Sequence, residues 1–138
     1  MIFKRPWLVL LLFVLTLVFT ISGLARVWNG IQYFNFLDEL PIPVSPWYLV
    51  ISGVIWGSFG LVTAVLVWWG SNLARRMMIS GTIVYSVFYW LEQLFLMSSP
   101  LRKSNWPFLT LVTLTIGSIV ILSFRHPRVR EFFGGRHE

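Results

Sequence analysis

Residues 47–69 read WYLVISGVIWGSFGLVTAVLVWW, 23 positions without a formal charge. A helix rises about 1.5 Å per residue, so this run is about 35 Å long and covers a hydrocarbon core of about 30 Å. It does not alternate, and it far exceeds the ~10 residues of a membrane-spanning strand. A helix closes its own backbone hydrogen bonds, as a water-free solvent demands. Working outward, residues 7–25, 77–97 and 107–124 share the pattern, with 19, 21 and 18 residues. Glu92 is the one formal charge inside the four runs. The expectation is an all-α membrane protein with four transmembrane helices in a small bundle, forming a single domain over residues 1–138.

The composition agrees. Of 138 residues, 57% are hydrophobic and 12% charged, with a mean hydropathy of +0.75. A soluble domain carries about 25% charged residues, so a soluble globule, a disordered tail and a free nucleic-acid binder are all excluded. The net charge is +6. Its basic residues flank apolar runs, as membrane insertion requires, and so do not indicate nucleic acid. Cysteine is absent, which removes disulfides, thiolate metal sites and cysteine nucleophiles.

The ends of the runs carry their own signals. Ser45 and Pro46 offer an N-cap and a first-turn proline to the second helix, Asn105 and Pro107 do so for the fourth, and Gly70 is a C-terminal stop. Six of the eight tryptophans (Trp7, Trp28, Trp47, Trp68, Trp69, Trp106) lie at or near run ends, as an aromatic belt does. Residues 7–25 also have a signal-peptide reading, with basic Lys4 and Arg5 ahead and Gly23-Leu24-Ala25 resembling a cleavage site. The apolar stretch is long for that role, and an uncleaved helix is expected.

Lys and Arg set the orientation. With four spans, one side of the membrane holds Lys4, Arg5, Arg75, Arg76, Arg125, Arg128, Arg130 and Arg136, eight in all. The other side holds Arg26, Arg102 and Lys103. The positive-inside rule places both termini in the cytoplasm, in a plasma (inner) membrane. The outer loop, 26–46, mixes aromatic and polar residues before Pro41, Pro43 and Pro46 force an extended path. Val27 to Leu40 are placed to extend the first helix or to lie along the outer interface; the loop is expected to be a connector lying on the bilayer, with a docking surface or lid over a pocket as the alternative. The basic tail, 125–138, is expected to anchor the topology. Pro127 is positioned to open one helical turn, with Phe132 and Phe133 on lipid or a partner and the arginines near anionic headgroups.

Two constellations stand out. At 100° per residue, Gly81, Thr82, Tyr85, Tyr89 and Glu92 share one face of the third helix, with Ser86 and Gln93 at its margin. A carboxylate at the bilayer centre costs about 2.5–3.5 kcal/mol, so this face must meet protein or water. Glu92 reads as half of a structural pair, with Arg26 or Arg102, as a group on a proton or cation path, or as a contact for a partner. On the second helix, Gly53, Gly57, Gly60 and Ala64 form a small-residue stripe that lets another helix approach closely. The neighbour expected is the fourth helix, which offers Thr110, Thr113 and Gly117, or else a helix of another chain.

Both histidines, His126 and His137, fall in the tail, so a membrane bis-histidine haem and a histidine metal centre have no ligands. No phosphate-binding glycine loop or serine nucleophile elbow occurs. The chain is therefore not expected to be an enzyme or to hold a cofactor or metal. The leading expectation is a non-catalytic accessory subunit of a larger membrane complex, with other membrane subunits and the lipid bilayer as partners. A respiratory or photosynthetic electron-transfer assembly is the first setting considered. The alternative is a small homo-oligomeric proton- or cation-coupled transporter or channel lined by Glu92, Tyr89 and Tyr85. A weaker third reading is a sensor that binds lipid or quinone through the aromatic outer loop.

Overall fold

A computed structural model describes residues 5–39, 45–95 and 105–134. These residues are almost entirely helical and contain no strand. The elements are α1 (Trp7–Gln32), α2 (Phe34–Glu39), α3 (Pro46–Trp69), α4 (Asn72–Phe95), α5 (Trp106–Arg125) and α6 (Pro127–Gly134). Among them α1, α3 and α5 are long and apolar enough to cross a membrane. At 24 residues α4 is as long as α3, but Ser80, Gly81, Thr82, Tyr85, Ser86, Tyr89, Glu92 and Gln93 dilute its apolar character. Lys4, the prolines at 41 and 43, Met97, Arg102, Lys103, Arg136 and His137 lie outside the described residues.

The helices form two compact units. One covers Leu10–Trp69 and contains most of α1 with α2 and α3. The other takes Gly70 onward, with the first residues of the chain up to Val9, and contains α4, α5 and α6.

In the first unit, α1 does not stop at Ala25. No proline or turn glycine interrupts it, and it continues through Arg26 to Gln32 before α2 begins. Residues 26–32 and 34–39 of the expected outer loop are thus helical. Tyr33 N–H still reaches the Asn29 carbonyl at 3.0 Å, and Leu37 N–H reaches Tyr33 at 2.8 Å, so the two helices are nearly continuous. Phe34 of α2 meets Trp47 of α3 edge-on at 5.4 Å.

The buried residues of α1 include Leu12, Thr16, Thr20, Gly23 and Gly30, spaced three, four or seven apart along one stripe. Those of α3 include Gly53, Gly57, Gly60, Ala64 and Val67, spaced in the same way. The stripes meet in antiparallel order, with Thr20 at Gly60, Gly23 at Gly57, Val27 at Gly53 and Gly30 at Val50. A methyl group added at Gly23 would lie 2.5 Å from the Gly57 backbone nitrogen, and one at Gly53 would lie 2.7 Å from the Gly23 carbonyl oxygen. The helix backbones are therefore in contact.

Hydroxyl groups in this seam spend their protons inside their own helices. Thr16 donates to the Phe13 carbonyl at 2.8 Å, Thr20 to Thr16 at 2.8 Å and Thr63 to Phe59 at 2.7 Å. Small polar side chains can thus line the contact without an unmet hydrogen bond. Aromatic residues close its flanks, with Phe13 on Trp68 at 5.0 Å and Phe19 edge-on to Trp56 at 6.0 Å.

In the second unit, Gly70 turns the chain with φ +70°, and a side chain there would also press on the Phe132 ring. This meets the expectation of a glycine stop after α3. Ser71 then caps α4, accepting the Leu73 N–H at 3.3 Å, so the helix starts five residues ahead of the apolar run at Met77. Asn105, expected to cap α5, makes no side-chain cap bond. Its carbonyl instead accepts the Leu109 N–H at 3.1 Å. At the other end of α5, His126 is extended, as the residue before a proline prefers. Pro127 then opens α6, which packs against both α4 and α5.

The two sides of the glycine contact yield opposite predictions. Gly23→Ala drives a methyl into backbone and is expected to destabilise the protein by about 1–3 kcal/mol, the usual cost of overpacking. At Gly57 the nearest neighbouring atom to an added methyl is 3.6 Å away, an ordinary contact. Gly57→Ala should be neutral or stabilise by up to about 1 kcal/mol through helix propensity. Thermal unfolding in mild detergent, followed by tryptophan fluorescence, measures both.

Candidate functional site

The candidate polar site lies on α4. Ala74, Met78, Gly81 and Glu92 are its buried residues, and Tyr85, Tyr89 and Gln93 are half-buried beside them. Ile83, Val84, Val87, Leu91 and Leu94 are exposed on the rest of the helix. The helix therefore buries its small and polar stripe and exposes its bulky apolar one. That is the inverse of a soluble amphipathic helix and suits an apolar surrounding.

Glu92 is 6% exposed. It is engaged by other groups of the protein, and no buried side-chain oxygen or nitrogen among the described residues lacks a hydrogen-bond partner. One turn back, the Tyr89 ring stacks on Tyr85, with centroids 6.3 Å apart and planes 25° from parallel. Tyr85 also approaches Phe88, and Tyr89 meets Trp90 edge-on. Thr82 and Ser86 donate to the carbonyls of Met78 and Thr82 at 2.7 Å each, leaving their hydroxyl oxygens as acceptors along the stripe.

The structure thus brings Tyr85, Tyr89, Glu92 and Gln93 onto one stretch of one helix. Arg26, the other candidate, is half-buried on α1 in the first unit, six residues before that helix ends. It is also engaged by other groups. No cluster of three or more His, Cys, Asp or Glu residues able to hold a metal ion occurs among the described residues. A buried carboxylate with a tyrosine ladder beside it can form a fixed ion pair, hold a cation or carry one proton.

The helix-packing residues of α3 meet α1, a neighbour that the sequence pattern does not single out. Gly53, Gly57 and Gly60 receive α1, through Val27, Gly23 and Thr20. A methyl at Gly117 of α5 would meet nothing within 4 Å. The missed half of the contact is the α1 stripe. Its signal was present in sequence, since Thr16, Thr20, Gly23 and Gly30 are the small residues of that helix at helical spacing. Phe133 was also missed as a core residue. With Val129 it is buried, and it packs on Phe124 at 5.4 Å and Phe132 at 5.2 Å.

No protein-family model, curated protein or solved structure matches the chain.

Glu92→Gln retains the size of the side chain and removes its ability to carry a charge. Losing a charge-assisted hydrogen bond in a buried place is worth about 1.5–3 kcal/mol. The variant is expected to fold and to unfold at a lower temperature in detergent than the parent. An unchanged unfolding temperature would show that the charge is not what the buried position uses.

Proposed function

We propose that the protein is a non-catalytic accessory subunit of a larger complex in the plasma membrane, with an electron-transfer assembly of the respiratory or photosynthetic type as its setting. In this reading α1, α3, α4 and α5 all cross the bilayer and both termini are cytoplasmic. The observation that carries it is the bareness of α5. Of the three most apolar helices it is the least covered, with 17% of its apolar window buried against 28% for α1 and 39% for α3. Its small residues Thr110, Thr113 and Gly117 are at most half-buried, with open space beside Gly117. Small residues on an uncovered membrane helix are what a helix of another subunit packs against.

A second reading rests on α4. The burial of Glu92 beside the Tyr85–Tyr89 stack favours a small homo-oligomeric proton- or cation-coupled transporter or channel, because intramembrane acids commonly lie on ion pathways.

Purification from the native membrane in mild detergent, followed by native mass spectrometry, separates the two. A stoichiometric complex with larger, cofactor-bearing proteins is expected. A lone chain or homo-oligomer would overturn the subunit reading and direct attention to Glu92.

The four-span topology has its own test, because the chain has no cysteine. Single cysteines at Asn29→Cys and Asn72→Cys, both exposed positions, are probed in intact cells with a membrane-impermeant maleimide. Label is expected on the first from outside and on the second only after lysis. Equal labelling of both from outside would overturn the orientation.

A further inference from the structure

The end of the second unit where α6 folds back gathers an unusual density of arginine. Arg75 and Arg76 stand near the start of α4, Arg125 ends α5, and Arg128 and Arg130 lie on α6. All five are exposed, and Glu131 is the one acid among the described residues of α6. The fold brings them together. Pro127 starts α6 directly after α5, and Phe132 near its far end lies against Gly70, two residues before α4 begins. Eight residues of helix extend about 12 Å, enough to cross between neighbouring helices spaced about 8–10 Å apart.

The strap is fixed rather than loose. Val129 is 0% exposed and Phe133 is 2% exposed, one turn apart, so the inner face of α6 is part of the unit's core. A helix held by that face presents Arg128 and Arg130 outward. Arg75 and Arg76 immediately precede the apolar run of α4, and Arg125 immediately follows that of α5. The guanidinium groups are therefore held at the boundary between apolar side chains and water. Guanidinium is planar, permanently charged and matches phosphate oxygens two at a time.

We propose that this arginine-bearing strap is a binding site for the phosphate group of anionic phospholipids in the surrounding leaflet. The inference rests on the reading that α4 and α5 span the bilayer. Phosphate on a headgroup is placed at this depth by the bilayer itself, whereas free phosphate must come from solution, so the lipid is the source. A basic residue near the surface contributes about a fivefold gain in affinity for an anionic leaflet, an effect that weakens with salt.

The test uses the full chain reconstituted into phosphatidylcholine vesicles with or without 20% phosphatidylglycerol. Lipids retained after gentle detergent extraction are counted by native mass spectrometry. Retained phosphatidylglycerol enriched over its share of the vesicle is expected, with about a fivefold loss for each arginine changed in Arg128→Gln and Arg130→Gln. These positions are exposed, so the variants are expected to unfold at the parent's temperature. Equal enrichment in parent and double variant would overturn the proposal, as would loss of phosphatidylglycerol to a few millimolar inorganic phosphate, which would make a soluble anion the ligand. Retention of the chain in pure phosphatidylcholine vesicles through an alkaline carbonate wash reports on spanning alone. A chain washed out there would overturn the spanning reading and this inference with it, whereas a retained chain without phosphatidylglycerol enrichment would overturn only this inference.

Discussion

Lipid gives two apolar helices no hydrophobic reason to leave it for one another, so association has to come from contact at short range. The backbone meeting of α1 and α3 supplies that contact. Gly23 and Gly57 lie so close that no side chain fits between them from the Gly23 side. The same approach dictates what else can occupy the seam. Neighbouring positions hold Thr, Ser, Ala or a further Gly, and bulky side chains are pushed to the flanks, where Phe13 meets Trp68 and Phe19 meets Trp56. The hydroxyls in the seam are harmless because each returns its proton to a carbonyl three or four residues back.

The second unit solves a different problem. Its helix α4 carries more polar character than a lipid-facing helix tolerates, and it places that character on the stripe it buries. Glu92 lies on that stripe, with Tyr85 and Tyr89 stacked before it. The fold-back of α6 depends on two local features of the chain. Proline after His126 ends one helix and starts the next, and glycine at position 70 leaves room for the Phe132 ring. The apolar pair Val129 and Phe133 then converts a basic tail into a fixed element whose arginines point outward.

How far each of these features was legible follows from its range. The apolar runs, the glycine stop at Gly70 and the small-residue stripe on α3 are patterns within about 20 residues, and the helical period displays them directly. The end of α1 is less legible: residues 27–40 can extend the first helix or lie along the interface, and with no proline or turn glycine after Arg26 the helix continues to Gln32. The partner of the α3 stripe stays open in the sequence between the fourth helix and another chain, and α1 is the helix found against it. Thr110, Thr113 and Gly117 match its chemistry as well as Thr20, Gly23 and Val27 do, and composition alone does not choose between equivalent small faces.

By itself the sequence determined the solvent, the helical class and the residues able to permit close packing, because each follows from local composition and the geometry of one helix. The tertiary structure decided which small face met which. It also decided that Phe133 belongs to a core, and that arginines as distant in sequence as Arg75 and Arg130 share one end of a unit. These are properties of chain segments brought together from afar, and no local period encodes them.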